Sequence, residues 1–172
     1  MAQYQIRLFG DPVLKQRASE VSDIDGSMVQ LAGEMVTTMH EARGLGLAAP
    51  QVGVGKRLFV YQLREDSAQP MTVVNPVISE SRGEWEYEEG CLSIPGLYFP
   101  IVRPKEVHLT GYDLDGNEVS IEADEILARC FQHELDHLDG RLLLELLDKG
   151  QRKSAMKELR RRAESSEPAV SV

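Results

Sequence analysis

The chain has 172 residues, 42% of them hydrophobic and 27% charged, with 19 basic residues against 28 acidic ones and a formal net charge of −9. That length suits one domain, and the composition is globular, which excludes a mostly disordered chain. So acidic a body argues against DNA wrapping, and no apolar run reaches the roughly 18 residues that a membrane span needs.

In chain order, residues 1–12 lack the apolar stretch of a secretory signal and carry little of the basic charge of a transit peptide. A helix is expected over 25–42, where Met28, Leu31, Ala32, Met35, Val36 and Met39 follow the i, i+3, i+4 rule and form one apolar stripe. The glycine-rich segment Gly44, Leu45, Gly46 ends it. Short strands are expected at 57–63, 71–77, 85–89, 106–112 and 118–122, the last two joined by a hairpin turn of sequence DLDGN. No helix separates successive strands, which favours antiparallel pairing. A second helix is expected over 125–139, with Asp124 as N-cap and Gly140 just past its end. A third follows Asp148 and frays near Ser165, leaving residues 1–165 as one domain and 166–172 as a disordered tail.

Charge is unevenly spread. Between Lys149 and Arg162 stand seven basic residues and one acid, Glu158. Such a run reads first as a solvated face that offsets an acidic body. In helical geometry Lys149, Lys153, Lys157, Arg160 and Arg161 nevertheless make one cationic stripe, with Ala155, Leu159 and Ala163 as a narrow apolar side.

The second helix holds His133, Glu134 and His137, an H-E-x-x-H pattern. Residues four apart sit one turn apart on the same helix face, so two imidazoles reach one ion while the glutamate lies beside it without ligating it. The alternative is a pair of core or surface histidines. Against that, Ile126, Cys130, His133 and His137 fall in one sector beside Leu127, Phe131, Glu134 and Leu138, whereas Arg129, Gln132, Asp136 and Asp139 fall opposite as a polar face. Unpaired polar groups on the apolar side would cost about 1–3 kcal/mol each, a cost that metal binding removes.

A metal site needs a third protein ligand. Leu143 stands where an extended zinc-peptidase motif would place a histidine, and Glu145 follows His137 too closely to return to the ion. Cys130 is about 10 Å from His137 along the helix axis. Two cysteines are too few for a disulfide scaffold and suit a reducing cytosol. Cys91, at the end of a strand in the run Glu89, Gly90, Cys91, Leu92, Ser93, is the remaining soft donor. A Cys-His-His set leaves a fourth tetrahedral position open, the mark of a catalytic site. The run 44–51 reads by itself as a helix stop and loop whose small residues let another backbone approach, with Gln51 offering an amide donor.

Together, residues 44–51 (G-x-G-x-A-A-x-Q), 89–93 (E-G-C-x-S) and 132–140 (Q-H-E-x-D-H-L-x-G) resemble the three motifs of the peptide deformylase family, in the same order. The resemblance covers roughly residues 4–165. It implies an α+β fold, with antiparallel sheets packed around a central metal-binding helix, an N-terminal helix and a C-terminal helix. It implies a metal-dependent amidohydrolase that removes the N-formyl group from nascent bacterial polypeptides in the cytoplasm. Fe2+ would be the working ion, one per chain, with Zn2+, Ni2+ or Co2+ able to take its place in preparations. By matching position, Cys91, His133 and His137 would hold the ion and Glu134 would move protons. Gln51 and the Leu92 N–H would bind the oxyanion. Leu45, Gly46 and Gly90 would pair with substrate backbone, while Ile126, Cys130 and His133 line a methionine pocket. Tyr98 stands where some members carry an arginine, and Arg129 where others carry an aliphatic residue. The basic helix 149–162 would serve ribosomal RNA contact. The competing readings are a zincin-like metallopeptidase, which needs a downstream ligand, and a non-catalytic metal-stapled binding domain, which needs a closed four-ligand site.

Overall fold

The computed structural model describes residues 4–63 and 69–165, so the expected tail at 166–172 lies outside the described residues. The elements are α1 (Gly26–Glu41), β1 (Gly46–Ala48), β2 (Leu58–Tyr61), β3 (Met71–Arg82), β4 (Trp85–Cys91), β5 (Ile94–Arg103), β6 (Glu106–Tyr112), β7 (Glu118–Asp124), α2 (Glu125–Leu138) and α3 (Lys149–Ser165). Short 3-10 turns occupy Pro12–Lys15, Ala49–Val52 and Leu143–Leu146. The three expected helices form within a residue of their expected bounds, and every strand pair is antiparallel.

Helix α1 starts because the Asp25 side chain accepts from the backbone N–H groups of Ser27 and Met28. Its end differs from expectation: the left-handed residue that stops it is Arg43, at φ 55°, and not a glycine. Gly44 is small for another reason, since a Cβ there would lie 2.8 Å from Leu92 Cδ1. Helix α2 begins after Asp124, whose side chain makes no capping bond, and stops at Gly140, where φ is 72° and a Cβ would meet the Lys15 carbonyl at 2.7 Å.

One sheet has the order β1-β2-β3-β6-β7, and β4 and β5 form a separate two-stranded ribbon. The larger sheet lies between two helices. On one face Leu31, Ala32, Met35 and Met39 of α1 pack on Leu47, Leu58, Val60 and Val74. On the other, Ala128, Phe131 and Leu138 of α2 pack on Phe59, Tyr61, Val73 and Leu109. Strand β2 is buried on both sides, which is why its sequence is a continuous apolar run, LFVY, and not an alternation. A third cluster joins β5 to the 3-10 turns and α3 through Leu14, Ile94, Leu142, Leu143 and Ala155.

The ribbon strand β5 was not among the expected strands; it carries Pro95, Gly96 and Pro100, residue types depleted in strands, and among the described residues it pairs only with β4, as an edge strand that tolerates them. Met35 has no exposed surface and lies on the sheet face opposite α2. Replacing it with alanine should lower the unfolding free energy by about 2–5 kcal/mol in a denaturant titration, without disturbing the packing of the histidine-bearing helix on the far face.

Candidate active site

Three donor atoms converge where β4 meets α2. Cys91 Sγ lies 3.3 Å from His137 Nε2, and His137 Nε2 lies 3.1 Å from His133 Nε2. All three atoms fall within 4.8 Å of one another, and among the described residues this is the one such group. Two nitrogens bound to a tetrahedral ion at 2.0–2.1 Å stand about 3.4 Å apart, so the spacing is that of a shared ion. His133 Nδ1 donates to Glu89 Oε1 at 2.6 Å, which fixes the ring with Nε2 turned toward the other donors. Two imidazoles this close cannot both carry a proton without cost. Burial pushes the His137 pKa well down, and the neighbouring His133 charge adds to that. A soft thiolate and two imidazoles suit a late first-row divalent ion.

Glu134 is 4% exposed, and its Oε2 has no hydrogen-bond partner. Burial raises its pKa to about 7, with the Glu89 charge reinforcing the shift and His133 and Arg103 opposing it. A carboxyl poised near neutrality with a free oxygen is suited to taking and returning a proton. It lies against Gly46, where a Cβ would fall 2.5 Å from Glu134 Oε1 and 2.9 Å from Cys130 Sγ. Any side chain at position 46 would displace the carboxylate.

Gln51 is buried in the 3-10 turn after β1. Its Oε1 accepts the Ala48 N–H at 2.9 Å, which turns Nε2 toward Ser93 Oγ, 3.1 Å away, and Cys91 Sγ, 3.9 Å away. Leu92 follows Cys91 in the tight turn between β4 and β5 and touches the 44–46 segment. Leu45 is half-buried, with its carbonyl bonded to Gln62 N–H, and Gly46 opens β1. Among the described residues, β1 is the terminal strand of its sheet and Gly90 lies in the two-stranded ribbon, so both strands have an edge without a strand partner. Ile126 is half-buried and joins none of the three apolar clusters among the described residues. Cys130 is buried beside Gly46, outside the converged donors, and burial pushes its thiol pKa well up. Glu145 pairs with Lys15, and Leu143 sits in the third cluster, so neither downstream position reaches the donors.

The expected polar face of α2 is partly wrong. Arg129 and Asp136 are buried, Gln132 is half-buried and Asp139 is exposed. The missing partner is Glu89. Arg103 donates to both of its oxygens at 2.9 and 2.7 Å, and Arg129 donates to Oε2 at 2.7 Å. Asp136 takes Arg103 on one oxygen at 2.9 Å and Arg141 on the other at 2.7 Å. Burial alone would raise the Glu89 pKa, but the Arg103 guanidinium and the His133 hydrogen bond hold it well below the usual carboxylate range. Half of the signal for this network was legible: Glu89 lies two residues before Cys91 and so shares its side of the strand, whereas Arg103 stands inward on β5, which was not expected. A charged residue at an inward position needs a buried partner.

The donor geometry separates the two cysteines. Cys91→Ser should abolish binding of a stoichiometric ion in metal analysis, and Cys130→Ser should keep it, because only the first sulfur stands among the converged donors.

The polypeptide deformylase family model matches residues 3–153. A peptide deformylase of Parafrankia sp. is 43% identical over all of this chain and 93% of its own length. The crystal structure of a peptide deformylase from Legionella pneumophila superposes with a TM-score of 0.90 at 38% identity, covering 97% of this chain and 100% of that one. That of the Synechococcus elongatus enzyme, in complex with actinonin, superposes with a TM-score of 0.87 at 41% identity, covering 91% and 87%. With its α+β architecture and all three motifs gathered around one buried site, the chain belongs to the polypeptide deformylase family.

Proposed function

We propose that this protein hydrolyses the formyl amide of N-formyl-methionyl peptides, releasing formate and a free amino terminus, with residues 1–165 as the catalytic unit. The observation that carries this reading is Glu134, buried with one oxygen unpartnered, beside three converged soft donors and against an open strand edge. Cys91, His133 and His137 would hold a divalent ion, which would supply Lewis-acid polarisation of the formyl carbonyl and acidify the attacking water. Glu134 accepts a proton from that water, holds it on its buried carboxylate, and passes it to the departing amine as the C–N bond breaks. Gln51 Nε2–H and the Leu92 backbone N–H donate to the formyl oxygen as negative charge builds there. The Ala48 bond to Gln51 Oε1 fixes the amide orientation in advance, so no reorganisation is needed at that moment.

The substrate backbone adds to the open edges at Leu45, Gly46 and Gly90 as an extra strand. The methionine side chain rests against Ile126, Cys130 and His133. The resident ion is Fe2+. Ligand softness alone would favour zinc, and Zn2+, Ni2+ or Co2+ can replace iron in preparations. The reaction belongs to the cytoplasm, where formylated chains emerge. No helix among the described residues is long and apolar enough to cross a membrane.

Helix α3 gives the reading a second surface. It docks through Ala155, Met156 and Leu159, and Arg162 reaches the Pro95 carbonyl at 2.7 Å; Ala163, expected on the docked side, is exposed. Arg161 is spent on Glu158, while Lys149, Arg152, Lys153, Lys157 and Arg160 project as a cationic band. This band meets ribosomal RNA, at an affinity that falls with salt as counterions are released.

Formate release from a formyl-Met peptide by iron-loaded protein, beside an unblocked peptide, tests the main reading; internal cleavage without formate release would return it to a metallopeptidase. Glu134→Gln should keep its ion by metal analysis and lose at least about 10²-fold in kcat. Lys153→Glu/Lys157→Glu/Arg160→Glu should stop co-sedimenting with ribosomes at low salt and keep its rate on a short formyl peptide. Equal sedimentation would make the helix an ordinary solvated face.

A further inference from the structure

Cys91 comes from β4, whereas His133 and His137 come from α2. The three donors converge only if strand and helix keep one fixed offset. Arg129 lies one turn before His133 and is 5% exposed, on a flank of α2 where a solvated residue was expected. Its guanidinium bridges the two elements at two points of β4. Nη1 donates to Glu89 Oε2 at 2.7 Å and Nη2 to the Trp85 carbonyl at 2.6 Å. Its Nε has no polar partner. The guanidinium carbon instead lies 5.2 Å from the Trp85 ring centroid and 5.8 Å from that of Tyr87, and these two rings stack on each other at 4.7 Å. A planar fork with two aimed donors and a ring beside it has little freedom to move.

Glu89 is the hinge of this arrangement. One oxygen takes the His133 Nδ1–H and the other takes Arg129, while Arg103 spans both. With Arg129 removed, the carboxylate keeps Arg103 and His133, but α2 loses both of its Arg129 bonds to β4, at Glu89 Oε2 and at the Trp85 carbonyl. Arg103 cannot substitute, because it reaches α2 only through Asp136, on the other side of His133.

We propose that Arg129 is a positioning residue of the ion site: by strapping α2 to β4 it orients Glu89, thereby the His133 ring, and sets the offset that brings Cys91 to the histidines. This rests on the ion-site reading above. It assigns a function to a charged side chain that the hydrolytic step does not itself touch.

The test is binding and spectroscopy on metal-free full-length protein. Co2+ is titrated into the parent, Arg129→Met, Arg129→Gln and Arg129→Lys. The thiolate-to-cobalt charge-transfer band and the d–d bands are followed, and Co2+ and Zn2+ affinities are measured against a competing chelator. Thermal unfolding of the metal-free proteins is read in parallel. The expected result is a weakening of about 10–100-fold for the Met and Gln variants with altered d–d bands, and partial recovery for Lys, which restores charge but not the fork. Parent-like affinity and spectra in the Met and Gln variants overturn the proposal, whatever their thermal stability, since Arg129 would then only pack. Loss of the folded state in both variants overturns it as well. If Arg129→Met alone does not fold, Arg129→Gln decides by the same readings. A parent without a thiolate band would refute the ion site itself, a failure distinct from that of the strap.

Discussion

Four N–H donors aim at the two oxygens of Glu89, a carboxylate with almost no contact with water. Taking such a charge out of water costs several kcal/mol, recovered only when its acceptor sites are filled with good geometry. Here they are filled from separate elements: Arg103 from β5, and Arg129 and His133 from α2. Glu89 itself sits two residues before Cys91 on β4. The requirement that this one group be satisfied therefore brings the ribbon and the helix together, and the ion-binding atoms are carried along with it. A buried ionic cluster of this kind adds little net stability over apolar packing. What it supplies is a single allowed arrangement.

The support behind α2 is of a different kind. Phe131 and Leu138 anchor the helix on the sheet through Phe59 and Tyr61, with Tyr61 and Phe131 meeting edge to face at 4.9 Å. The sheet is backed in turn by α1. One side of α2 is thus held by area, which is tolerant of small shifts, and its other flank by directed bonds, which are not. The side chains of the candidate site stand between the two.

The helices and the ligand pattern were legible because helical periodicity is a local property: spacing along the chain is spacing on a face. His133, Glu134 and His137 could be placed together for that reason. Cys91 was reached by elimination, and its convergence with them depends on a strand 42 residues upstream of His133, which periodicity cannot see. The same limit hid the burial of Arg129 and Asp136. A charged position on a helix reads as solvent-facing until its counter-charge is known to arrive from elsewhere, and here the partners are on β4 and β5. Strand β5, with its prolines, was not among the expected strands, and Arg43 took the left-handed position expected of a glycine. For β5 the pairing with β4 overrode the usual local habit of its prolines.

The contact between Glu134 and the Cα of Gly46 bears on how such a site can change over time. The proton carrier and the strand edge beside it share a wall one atom thick, so neither can be reshaped alone. A larger residue at 46 would push the carboxylate off its mark, and a shorter acid at 134 would leave a gap beneath the strand. Selection for bulkier or differently shaped acyl groups has no room to act on this side. The half-exposed ribbon is freer, since at Gly90 the nearest neighbour is the ring of Tyr98, which is 59% exposed. Divergence in ligand preference, natural or engineered, is channelled toward that ribbon.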